Sequence, residues 1–406
     1  MFINIFLSGV LYYTFDYRDL HQFYVTDEFA VMGAWHTLLA VQVLWIAFYM
    51  FREEPYGLFA KFELRSVPMR FVHILVLIFL LSFFIGVYTE TFGYVADPNK
   101  VKFVSYIRYG QLAGLVAIIL MAAYYHDSFR HRLYLYAIVG ANMIVGLLFG
   151  SKSTVVMPVV IYIFTQYMCE RKISKTAVGV FIGGIVVAYN LVEPFRTYYG
   201  IHAYSHVLTG VTDLANVFVA AKQYTGGAEI NYINSFIERQ NYVVMLGKTI
   251  EYADLTSYYR TEEWGDLALS LFYGAIPRFL WESKPLADFG LWVSVNIFNL
   301  PPTSHIGITP QGYSYLVWRV PGIIVCFTLY GCIQRIGFNM FYVRSGLLPV
   351  FIYFYFFVLY PSYPTWTAIS SFVQNLLIIA VCLLVFKLMA GKAYLETEQS
   401  RAGAYH

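Results

Sequence analysis

Runs of about twenty apolar residues, spaced along most of the chain, limit the fold more than any motif in it. A hydrocarbon core about 30 Å thick is crossed by roughly 20 residues of α-helix. Runs of this kind cover Phe29–Phe51, Phe71–Thr89, Phe103–Tyr125, Leu133–Gly150, Thr154–Cys169 and Ala177–Val192. Three more cover Ser314–Ile333, Gly346–Tyr360 and Trp366–Met389, with a weaker one at Phe2–Tyr13. In lipid every backbone polar group must be satisfied internally, so only helices and closed barrels can span. These runs are too long and too uniformly apolar for barrel strands. The expected fold is an all-α polytopic membrane protein, a bundle of about 9–11 transmembrane helices. Composition agrees: 13% of residues are charged, against about a quarter in ordinary globular domains. Aromatics reach 19%, and Tyr and Trp favour the membrane interface. A net charge of +3 is too small to argue for a nucleic-acid partner.

Basic residues in short loops set the orientation. Arg52, Lys61, Arg65 and Arg70 fall in one loop, Arg130 and Arg132 in the next alternate one, then Arg171, Lys172 and Lys175. Arg335 and Arg344 follow, and the tail carries Lys387, Lys392 and Arg401. The opposite loops are poorer, with Lys100 and Lys102, then Lys152, then none in PSYPT. The first set is expected to be cytoplasmic. The chain then divides into N-terminal spans (1–193), a long outer loop (194–313) and C-terminal spans with a cytoplasmic tail (314–406). Apolar residues at helical spacing within the loop, such as Leu208, Val211, Leu214 and Phe218, suit interfacial helices. Asp266–Trp281 is apolar enough to re-enter the membrane. The N-terminus lacks a basic n-region and a small-residue cleavage site, so it does not read as a secretory signal. It is a short first span, or the start lies further upstream. Cys169, Cys326, Cys332 and Cys382 form no CxxC pair and no zinc spacing.

The polar residues outside the spans concentrate in Ala275–Gly290, AIPRFLWESKPLADFG, and in the run PPTSHIGITPQG behind it. Arg196, Arg278 and Lys284 are cations on the outer side, and a guanidinium fork suits phosphate oxygens. The rival reading is that they snorkel to headgroups as anchors. His305 is a candidate general base, with Glu193, Glu282 and Asp288 as rivals. His202 and His206 are weaker, and His36 and His73, on spans, read as packing or interface residues. Lys152, in the outer turn LFGSKST, faces the same side and can address an anionic ligand. Its surroundings are not a P-loop, because the Gly-Lys-Ser order is absent. Arg108 is a similar case. Arg319, just inside a span and before Pro321, would be costly facing lipid, so it faces the bundle or the same outer cavity. Tyr198, Tyr199 and Trp281 can stack on sugar rings or anchor at the interface. HExxH, GxSxG, Walker A, a dinucleotide fingerprint and Asp-x-Asp are all absent, which argues against nucleotide-sugar or NTP substrates and against metal hydrolysis.

The outer Gly-Ser-Lys turn, the Arg after a central span, the long loop with IPRFLWESKP and the run TSHIGITPQGY before a span with an early Gly322 together resemble the Wzy-type O-antigen polymerases. The likeness covers roughly Leu147 to Gly322 by pattern and the rest by hydropathy. IPRFLWESKP is its most specific piece. The resemblance implies an inverting, metal-independent glycosyltransferase of the membrane-integral class C type, with no cofactor. It would sit in a bacterial inner membrane with its site facing the periplasm. The implied donor is a growing glycan on undecaprenyl pyrophosphate, the acceptor a new lipid-linked repeat unit, and a chain-length regulator an implied partner. Family members are described with an Arg, about ten residues, then a Gly in each of two outer loops. Eleven residues separate Arg278 from Gly290 here, and thirteen separate Arg196 from Gly210, so only the arginines carry over. Lys152 stands where many members have Arg.

In this reading the cations stabilise the departing pyrophosphate, as an oxyanion hole stabilises its anion. A base takes the proton of the attacking sugar hydroxyl. Two alternatives share the architecture: an O-antigen ligase-like glycan transferase, and a transporter or flippase for the lipid-linked oligosaccharide. Transporters often carry paired repeats and helices broken near the midplane; paired halves are not evident in the sequence.

Overall fold

The computed structural model describes residues 25–50, 67–88, 101–148, 152–171, 242–258, 289–299, 308–342 and 347–355, with scattered positions at 175–186, 276, 281 and 373. Every regular element among these is helical. They are α1 (Asp27–Met50), α2 (Met69–Tyr88), α3 (Val101–Tyr124), α4 (Phe129–Leu148), α5 (Lys152–Met168), α6 (Tyr242–Thr256), α7 (Phe289–Asn296), α8 (Pro310–Gly337) with a π-helical turn Phe338–Tyr342, and α9 (Leu347–Tyr353). Among the described residues, three helices are long and apolar enough to cross a membrane: Asp27–Met50, Met69–Gly86 and Pro310–Tyr342. Gly110–Tyr124 and Thr154–Met168 are shorter apolar helices. Large apolar side chains stand exposed on α1 and α2, among them Trp35, Trp45, Ile46, Leu77 and Phe84. Such faces belong against hydrocarbon. This is a helical membrane protein. The runs Gly346–Tyr360 and Trp366–Met389, the first span and most of 194–313 lie largely outside the described residues.

The chain forms two compact units, one of residues 1–63 and 231–380, the other of 64–230 and 381–406. In the first, α1 packs against both α6 and α8. Lipid offers helices no hydrophobic drive to associate, so close approach depends on small residues. Gly33 of α1 and Gly247 of α6 supply it. A Cβ at Gly33 would sit 2.6 Å from the Val243 carbonyl oxygen, and one at Gly247 would sit 2.7 Å from that of Phe29. Around the crossing lie Ala40, Leu246, Ile250, Ala253, Leu316, Ile323 and Phe327, all buried. α6 belongs to the stretch read from sequence as outer loop, yet it is packed among the helices of this unit. Its charges are paired locally: Lys248 Nζ lies 2.7 Å from Glu251 Oε2.

α1 and α8 run in the same direction. His36 meets Tyr315, and further along Phe48 meets Arg335 and Phe338. From His36 to Phe48 is about 18 Å of helix rise, whereas Tyr315 to Arg335 would be about 30 Å if straight. The difference is taken up by a break in α8. In the second unit α3 packs against α2, α4 and α5, and α4 against α5.

Candidate functional site

The break in α8 is where the described residues bring charge into the apolar interior. Thr309 caps the helix, its side chain accepting from the Gly312 N–H at 3.0 Å, and Pro310 opens it. Seven consecutive residues, Gln311 to Val317, are then buried. At Trp318 and Arg319 the backbone leaves the helix, with φ −153°, ψ 30° and φ 54°, ψ −143°. Pro321 is the local cause. It cannot donate to the carbonyl four residues back, its ring clashes there, and it biases the preceding residue away from helix. Gly322 completes the fold-back, since a Cβ on it would lie 2.1 Å from the Ser314 carbonyl oxygen. Eight residues apart in a straight helix, those positions would be separated by about 12 Å.

Arg319 occupies a backbone region normally left to glycine, at a cost of about 1–3 kcal/mol. Residues of α6 and of α8 itself hold it there. Its Nη1 lies 3.1 Å from Asp254 Oδ1, its Nη2 donates to the Ala253 carbonyl at 2.5 Å, and its guanidinium sits 5.2 Å over the Tyr315 ring. The Tyr315 hydroxyl donates to Asp254 Oδ1 at 3.2 Å. His36 of α1 meets Tyr315 edge-on at 5.3 Å. Its Nδ1 lies 2.7 Å from the Met32 carbonyl, which can only accept, so Nδ1 carries the proton. The last turn of α6 has Asp254 and no basic residue, so that end is negative through both its carboxylate and its helix dipole. Arg319 supplies the missing cation from another helix. The Arg319 side chain is 16% exposed and the Asp254 side chain 38%. His36 lies about 14 Å along α1 from its start, well inside that apolar helix.

Of the residues singled out in the sequence, Trp281 and Arg319 come to the same half-helix. Trp281 packs on buried Tyr313 and Val317 of the first half of α8, the half that Arg319 ends. Lys152 is the first residue of α5; its side chain, and that of Arg108 on α3, lie outside the described residues. So do Glu193, Arg196, Tyr198, Tyr199, Arg278, Glu282, Lys284, Asp288 and His305. Asp254 and Tyr315 escaped the sequence reading because nothing in the spacing links them to Arg319. The one signal was an excess acid in the segment YVVMLGKTIEYADL, where Lys248 can balance one of Glu251 and Asp254 but not both. Near them, Tyr252, Tyr258 and Trp292 form a cluster of rings with centroids 5.1 to 6.0 Å apart. Three free cysteines, Cys169, Cys326 and Cys332, stand among the described residues.

Comparison with protein-family models, curated proteins and solved structures gives no match to this chain.

Proposed function

We propose that this protein is a glycosyltransferase that joins lipid-pyrophosphate-linked oligosaccharide repeat units into polysaccharide on the outer face of a bacterial inner membrane. One observation carries the reading furthest. The stretch with IPRFLWESKP sends Trp281 onto the half-helix that ends in a strained, half-buried arginine. One residue of that stretch is thereby brought to the half-helix that carries the Arg319–Asp254 pair. The shared direction of α1 and α8 also supports the orientation read from basic residues, in which both helices end on the same side as Arg52 and Arg344.

In the proposed reaction the acceptor hydroxyl attacks the anomeric carbon of the donor from the face opposite its pyrophosphate. The new C–O bond forms as the bond from carbon to the pyrophosphate oxygen breaks, inverting the centre. Arg196 and Arg278, with Lys152 and Lys284, hold the charge that develops on the leaving pyrophosphate. His305, or one of Glu193, Glu282 and Asp288, takes the hydroxyl proton. Tyr198, Tyr199 and Trp281 bind sugar faces, and Arg319 holds the deep end of the site. Purified protein in detergent, given a polyprenyl-pyrophosphate oligosaccharide, should yield a ladder of longer glycans. Arg278→Ala should abolish the ladder while the protein still inserts and accumulates. An unchanged ladder from this variant would remove the assignment.

A ligase-like transferase uses the same donor and differs in its product. Its loss leaves polymer on the lipid, whereas loss of a polymerase leaves single repeats. The break in α8 favours one further reading, a transporter of the lipid-linked sugar, because discontinuous helices near the midplane line transport sites. Elongation by the isolated protein separates the two.

A further inference from the structure

At one end of the second unit the Arg132 side chain has no partner among the described residues, whereas Arg171 near it has found one. α3 ends at Tyr124, α4 begins at Phe129, and α5 ends at Met168 beside Arg171. The last turn of α3 has no basic residue, and Arg171 caps it from the end of α5, donating to the Ala122 and Ala123 carbonyls. The first turn of α4 reads Arg130, His131, Arg132 and contains no acid. Cations at a helix N-terminus face the positive pole of the dipole. The Arg132 side chain has no hydrogen bond or ion pair among the described residues, and its Nε is shielded from solvent. A guanidinium with one N–H shielded and unmet is costly, while the residue as a whole stays partly exposed. The field around it does not help. Burial first, then the charges of Arg171 and Arg132, hold the imidazole of His126 below its ordinary pKa, and Asp127 only partly opposes them. Asp127 and Glu170, the acids of the same turns, are exposed and neither pairs with Arg132.

We propose that Arg132, with Arg171 and His126 beside it, holds the phosphate of an anionic phospholipid whose acyl chains lie along the exposed face of α4. That face fits a lipid better than a free anion. Phe129 stands one turn before the arginine, and Leu133, Tyr136 and Ile144 follow it at helical spacing into the apolar span, each about half to three-quarters exposed. The ligand is therefore charged at one end and long and apolar at the other, and the guanidinium fork matches two phosphate oxygens. Arg130 and Lys175, both exposed, add attraction to an anionic surface without defining the site. The inference needs the chain to lie in a bilayer and is independent of the proposed glycosyl transfer.

Full-length protein purified in detergent is titrated with phosphatidylglycerol, with phosphatidylcholine, or with inorganic phosphate. Melting temperature and lipid retained in native mass spectrometry are followed. Phosphatidylglycerol should be retained and should raise the melting temperature, whereas phosphatidylcholine and phosphate should not. Arg132→Gln should weaken phosphatidylglycerol binding about tenfold, the equivalent of one lost charged contact, and Arg130→Gln should not. Should Arg132→Gln fail to fold, Arg132→Lys, which keeps the charge and loses the fork, should show the weakening. Equal binding of the two lipids, an equal effect of phosphate alone, or undiminished binding by the Arg132 variants would overturn the proposal.

Discussion

Arg319 and His126 are both charged-group problems, solved in opposite ways. Arg319 keeps its charge and acquires the carboxylate of Asp254, the Ala253 carbonyl and the Tyr315 ring. Removing one partner of a buried pair leaves an uncompensated charge and costs about 3–5 kcal/mol. Because the Asp254 side chain is 38% exposed, Asp254→Ala should cost less, about 1–3 kcal/mol. A fall in melting temperature checks this, and Asp254→Glu should recover part of it. His126 instead gives up charge. Burial, then Arg171, then Arg132 disfavour its imidazolium in the folded protein. The unfolded chain binds this proton more readily, so the contribution is intact above about pH 6.5 and is lost as pH falls through the lower folded value. Melting temperature followed from pH 8 down to pH 5 should decline, and His126→Asn should flatten that decline. Arg319 was legible in the sequence because a cation inside an apolar run must face away from lipid. Asp254 was not, since its partner lies sixty-five residues away and only the packing of α6 on α8 brings them together.

Helices were read from the chain with good fidelity wherever lipid dictates composition. The runs Phe29–Phe51, Phe71–Thr89 and Phe103–Tyr125 correspond to α1 (Asp27–Met50), α2 (Met69–Tyr88) and α3 (Val101–Tyr124). α6 was not read as part of the bundle, because Lys248, Glu251 and Asp254 make it too polar for a span. Hydropathy does not register that these charges are paired. Nor did the sequence place the break in α8. Pro321 signals a disturbance, but only the contact of Gly322 with Ser314 makes it a sharp fold-back. Gly322→Ala sets a Cβ 2.1 Å from a carbonyl oxygen and should lower stability by about 1–3 kcal/mol, read as a drop in melting temperature. Gly140→Ala on α4, where nothing lies within 4 Å of the new Cβ, should be neutral or slightly stabilising, since alanine is the better helix former.

Across the whole molecule the first unit joins the beginning of the chain to its later part. α1 supplies His36 and Gly33, whereas α6 and α8 come more than two hundred residues later. These contacts close only after most of the chain has been made, and such long-range closure is slow. A chain lacking residues 1–50 should leave α6 and α8 open to protease. Supplying residues 1–66 as a separate polypeptide should restore protection, which limited proteolysis of membranes can measure.

The meeting of Gly33 with Gly247 has a mechanical corollary. Two backbones in direct touch, with no side chains between them, cannot slide past one another as cushioned helices do. They behave as a pinned joint. Aromatic contacts at Phe48 fasten the far end of α8 to the same rod. Any swing that bares the guanidinium of Arg319 is therefore left to the short segment between Pro310 and Trp318, pivoting at the break before Pro321.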